Sequence, residues 1–178
     1  LTREEVEGVP MVCFALSDNG KVALLVSGAL TGLFEGVESF ILIPKMSKEA
    51  GGLPFFDNTF KNPPEQMRQF VETLSEEGKD LYRNAYMKSD NIYPLVYSTF
   101  FTLFFIRTNG KADWKTALPY VLIAFDYTEN LCTAKMVKDG TVTTKFARFA
   151  GTVTKAKMIT LLTTIDLLLV DLIKSRKD

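Results

Sequence analysis

Residues 92–106 read IYPLVYSTFFTLFFI and contain no charged side chain. A helix on the outside of a water-soluble bundle carries a polar stripe. This stretch offers only Ser98, Thr99 and Thr102. It reads as a helix whose whole circumference meets apolar surroundings, which points to a membrane. Asp90 precedes it, Arg107 closes it and Asn109-Gly110-Lys111 makes the turn that follows. Trp114 comes next, at the kind of boundary where indoles prefer the membrane–water interface.

Three further segments share this character. Val22 to Phe34 holds no charge, Glu35 and Glu38 interrupt, and Phe40-Ile41-Leu42-Ile43 resumes before Pro44. As one helix, residues 21–44 reach about 36 Å, enough to cross a bilayer with tilt. A span over 117–137 carries Asp126, Glu129 and Asn130, and Lys138-Asp139-Gly140 turns the chain. A last span over 149–174 carries Lys155, Lys157, Asp166 and Asp171. The expected fold is therefore all-α: a polytopic bundle of about four transmembrane helices, near 21–44, 91–107, 117–137 and 149–174. A polar segment (1–20) precedes this single domain (21–174), and a short tail (175–178) follows it. A soluble helical bundle is the alternative, because no uncharged run reaches about 18 residues.

An amphipathic helix is expected over 63–77. Asn62 offers an N-cap, Pro63 and Pro64 suit a first turn, and Gly78 would close it. Met67, Phe70, Val71 and Leu74 fall on one face. That face would lie on the membrane surface or on the end of the bundle. Gly28, Gly32 and Gly36, continuing the spacing of Gly20, would form a ridge for close helix packing.

The 178 residues balance 21 basic against 21 acidic side chains, so overall charge draws the chain to no nucleic acid. Apolar residues make up 47% and mean hydropathy is only +0.08, because long apolar runs alternate with charged connectors. No histidine is present, which removes the commonest general base and metal ligand. Cys13 and Cys132 lie far apart and form no metal-binding spacing. They read as buried thiols, a disulfide between them being the alternative. No metal site or cofactor is evident, and bound lipids are expected. The start, LTREE, lacks the basic and apolar regions of a signal peptide.

Asp126, Glu129 and Asn130 fall at i, i+3 and i+4 and share a helix face. Ionised carboxylates in a bilayer cost several kcal/mol unless paired, hydrated or protonated, so they should face inward. Glu129 and Lys157 are each about 12 Å from the same side, where Glu35, Glu38 and Asp90 also converge. A Glu129–Lys157 pair is expected, with hydrogen bonds from Asn130 and Tyr97. Asp166 and Asp171 would snorkel or meet a partner. The cluster reads either as polar glue fixing helix order or as a functional polar cavity.

Asp90-Asn91-Ile92-Tyr93-Pro94-Leu95-Val96-Tyr97 and Asp126-Tyr127-Thr128-Glu129-Asn130 together carry a resemblance. The chain resembles a family of small, uncharacterised four-helix membrane proteins, common in bacteria, with D-x-x-[FY]-P-x-x-Y opening the second span and D-x-x-E-N in the third. Gly78 to Tyr82, Pro119 and Thr154 to Lys157 resemble three further motifs of that family, whose K-W is Lys157-Met158 here. The likeness covers residues 21–173 and implies a topology without an activity.

The reading placed first is an accessory, non-catalytic subunit of a larger membrane complex, for example an energy-transducing assembly, with other membrane subunits and lipids as partners. A small transporter or lipid-type ligand binder with an intramembrane acidic cavity is the alternative, and a lipid-modifying membrane enzyme the third. The corresponding location is a bacterial inner membrane or a mitochondrial or plastid inner membrane. Basic residues concentrate in connectors 45–90 and 138–148, which would place both termini on the outer side.

Overall fold

A computed structural model describes residues 17–56 and 63–175, and it is helical throughout, with no strand among the described residues. Helix α1 runs Asp18–Glu49. It is followed by α2, Pro64–Thr73, and by α3, residues 76–109. A 3-10 turn, Trp114–Ala117, leads into α4, Leu118–Asp139, and α5 is Thr144–Ser175. Cys13, the proposed Asn62 cap, most of the 1–20 segment and the end of the tail lie outside the described residues.

Ser17 caps α1, its side chain accepting from the Gly20 amide at 3.2 Å, with Asp18 in the first turn beside the positive helix end. The sequence pattern ends this helix at Pro44, but the structure carries it on to Glu49. Pro44 cannot donate to the carbonyl four residues back. A widened π-turn, Glu38–Leu42, lies immediately before it and lets the helix pass. Gly110 and Gly140, at φ 70° and 65°, end α3 and α4 in the left-handed conformation that L side chains resist.

The amphipathic segment differs at its far end. It stops at Thr73, and Gly78 is not its C-cap. Ser75 instead caps α3, accepting from the Gly78 amide at 3.0 Å. Gly78 is required there by proximity, since a Cβ would sit 2.5 Å from Leu74 Cδ1 and 2.8 Å from Glu49 Cβ. Met67, Phe70, Val71 and Leu74 are buried within protein, so the bundle end covers this face. Phe70 meets the rings of Phe55 and Phe56 at centroid distances of 5.3 and 5.6 Å. Met46, Tyr82, Tyr86, Met136 and Ala147 complete this apolar headpiece.

Below the headpiece, α1 packs chiefly on α3, α3 on α4, and α4 on α5. By length and composition, α1 is the one helix among the described residues long and apolar enough to cross a membrane. The four-span expectation thus meets that criterion once. Tyrosines and hydroxyls hold α3 below it, and acidic and basic residues punctuate α4 and α5. Of the glycine ridge, one position meets a neighbouring helix. Gly28 meets the Phe100 ring, where a Cβ would stand 3.0 Å from the ring edge. Among the described residues, nothing lies within 4 Å of a Cβ placed at Gly32 or Gly36, so Gly28 alone of the three makes a close helix contact there.

Candidate functional site

Pro94 organises the centre of the bundle. Its missing amide leaves the Asp90 carbonyl, four residues back, without its helical partner. Asn130 Nδ2 on α4 donates to that oxygen at 3.1 Å. Tyr127, one turn earlier on α4, donates its hydroxyl to the neighbouring Asn91 carbonyl at 2.9 Å. The Asp90–Tyr97 and Asp126–Asn130 motifs therefore meet through backbone repair. Asn130 thus reaches across to α3, where its Nδ2 bonds the carbonyl released by proline.

The ionisable groups cluster around this joint. Lys157 on α5 forms an ion pair with Glu129 and approaches Asp126 Oδ1 at 3.6 Å. Glu129 is 1% exposed, Asp126 5% and Lys157 6%, so this triad is almost entirely removed from solvent. The Tyr97 hydroxyl donates to Asp126 Oδ2 at 2.5 Å, and the Thr154 hydroxyl donates to Glu129. On α1, buried Glu38 accepts from Ser89 Oγ at 2.6 Å. Exposed Glu35 accepts from the Tyr93 hydroxyl at 2.9 Å. The sequence gives no polar role to Thr154 or Tyr93, which stand only within the motifs of the resemblance, and it does not single out Ser89. Thr154 lies one turn before Lys157, and Tyr93 one turn before Tyr97, a spacing that sets each beside a site residue.

These groups border a cavity of about 100 Å³, room for a few water molecules or a small ionic head. Its wall includes Glu35, Glu38, Asp90 and Asp126, with Lys157 as its one cationic side chain. Tyr86, Tyr93 and Tyr97 present rings and hydroxyls to it, and Met158 and Leu161 close its α5 side. Glu129 stands behind Lys157. Four acidic side chains and one cationic side chain stand on this wall. Among the described residues, no three acidic or thiol side chains converge closely enough to hold one metal ion.

A second ionic contact lies at the opposite end of α5. Asp171 is buried and bonded to Lys115 Nζ at 2.6 Å, which corrects the expectation that it snorkels or meets a partner. Asp113 lies 3.4 Å from the same ammonium. Burial alone would lower the Lys115 pKa. The hydrogen bond to Asp171 and the charges of Asp113 and Asp171 outweigh it, and the pKa is raised. Stability from a raised lysine is present below the unfolded value of about 10.4 and lost as pH climbs through the folded value. Wild-type protein should therefore lose more stability than Lys115→Gln between about pH 9 and about pH 12. Thermal melts across that range giving parallel slopes would contradict this.

Comparison of the chain with protein-family models, with curated proteins and with solved structures found no match.

Proposed function

We propose that this chain is an integral membrane protein of four spans that binds a cationic ligand in an acidic cavity inside the bilayer. The observation that carries the reading is its inverted polarity. Glu38, Asp90, Asp126, Glu129, Lys157 and Asp171 are buried. Leu25 and Leu33 on α1, Ile92 and Leu95 on α3, Val121 and Leu131 on α4, and Ile159 and Leu169 on α5 are exposed. Apolar surface on all four long helices costs free energy in water and none in lipid. Charged groups turned inward around a cavity are the usual mark of a functional site in a membrane protein. The spans would end near Trp114 on one side and below the headpiece on the other, with both termini on the Trp114 side.

The test is binding of a small organic cation to protein reconstituted in lipid nanodiscs. Ethylammonium should bind. Its affinity should fall about tenfold or more in Asp126→Asn and in Glu38→Gln, which keeps an acceptor for Ser89. Affinity unchanged in both variants, with both folded, would overturn the reading.

One feature favours an accessory role as well. Asp166 is an exposed carboxylate on a face of α5 that also carries Leu162, Thr163, Leu169, Val170 and Ile173. A carboxylate on a lipid-facing surface is costly, and contact with another subunit would relieve it. Gentle detergent extraction of native protein should then retain a partner that Asp166→Leu does not lose through misfolding but loses through the contact. A wild-type monomer without partners would rule this role out.

A further inference from the structure

The acidic cavity does not end in polar walls. On α3, Tyr97 gives way to Phe101, which lines both the cavity and an apolar groove bordered by Phe100, Phe104, Ile165, Leu168 and Leu172. On α5, Leu161 at the cavity is followed by Ile165, Leu168 and Leu172 at the groove. The spacing i, i+4, i+7, i+11 keeps all four on one helix face. From Leu161 to Leu172 this track is about 16 Å long, running parallel to the helices. It has no charged group along it.

We propose that cavity and groove form one site for a single-chain amphiphile with a primary ammonium head and no phosphate. The inference rests on the cationic-ligand reading above and names the class of ligand. The head enters among Glu38, Asp90 and Asp126 on the cavity wall. Tyr93 and Tyr97, packed edge to face at 5.1 Å, offer ring surface to the same cation. The tail passes Phe101 and lies along the groove, covering apolar side chains of two helices. A phosphate next to the amine would bring negative charge against the carboxylates, which excludes ethanolamine phospholipids.

Four probes in phosphatidylcholine nanodiscs test the assignment, with affinities expressed against concentration in the bilayer. They are dodecylamine, dodecanol, ethylamine and phosphatidylethanolamine, read by native mass spectrometry and thermal stabilisation. Dodecylamine should bind one to one, about tenfold or more tighter than either ethylamine or dodecanol. Phosphatidylethanolamine should not displace it. Ile165→Trp and Leu169→Trp, at the partly exposed rim of the groove, should bring dodecylamine down to the affinity of ethylamine. Ethylamine binding in those variants shows that they are folded and that the cavity is intact. Equal affinity for dodecylamine and ethylamine would overturn the amphiphile and leave the cation site standing. Equal affinity for dodecylamine and dodecanol, with no ethylamine binding, would overturn both. Displacement by phosphatidylethanolamine would overturn the exclusion of phosphate and with it the proposal.

Discussion

Lys157→Met is expected to destabilise the bundle by about 3–5 kcal/mol, the range for breaking a buried ion pair by removing one partner. The ammonium is paired with Glu129 and lies 3.6 Å from Asp126, and all three side chains are buried. Its loss removes the ammonium that Glu129 and Asp126 share. Glu129→Gln with Lys157→Met should be milder than Lys157→Met alone. Glutamine keeps an acceptor for Thr154, and the double change leaves one carboxylate, Asp126, where Lys157→Met alone leaves two. A double-mutant cycle in detergent isolates the coupling between the two. A double variant no more stable than Lys157→Met would contradict the assigned pair.

Phe70→Ala should cost a comparable amount, about 3–5 kcal/mol, by a different mechanism. Phe70 is fully buried on α2 and touches two phenylalanine rings from the segment after α1. Truncation removes those contacts and opens a void between α2, that segment and α5. The loss should be local first, because Phe70 sits in the apolar headpiece and lines no part of the polar cavity. Hydrogen exchange should rise at the Met67 and Val71 amides before it rises in α4. Met67→Leu, which conserves volume, should cost less than about 1.5 kcal/mol. Unchanged protection of α2 in Phe70→Ala would show that this face is not held as described.

The sequence reveals charge depth better than it reveals charge partners. Counting residues from the turns places Glu129 and Lys157 at one level, and their contact follows because α4 and α5 are neighbours in an antiparallel hairpin. Asn130 shares the face of Glu129, yet its partner is set by Pro94 on another helix. That link is a missing amide, which no side-chain pattern displays. The start of α3 at Ser75 was hidden for a related reason. Gly78 has the look of a helix stop, but its lack of a Cβ serves a crossing with Glu49 and Leu74 in the first turn of the next helix. Proline at 44 resembles a terminator until the π-turn before it is seen. Gly32 and Gly36 have ridge spacing, but spacing carries no information on which neighbour occupies the ridge. Asp171 finds Lys115 only because the connector folds back beneath α5.

The most direct test of the inverted, four-span arrangement is sidedness in sealed vesicles. In a background with Cys13 and Cys132 replaced by serine, single cysteines are introduced at Asp18, Glu65, Ala112, Thr141 and Ser175, all exposed positions. A membrane-impermeant maleimide should label Glu65→Cys and Thr141→Cys from one side. It should label Asp18→Cys, Ala112→Cys and Ser175→Cys only from the other. Labelling of all five from the same side of an intact vesicle would contradict the four-span account.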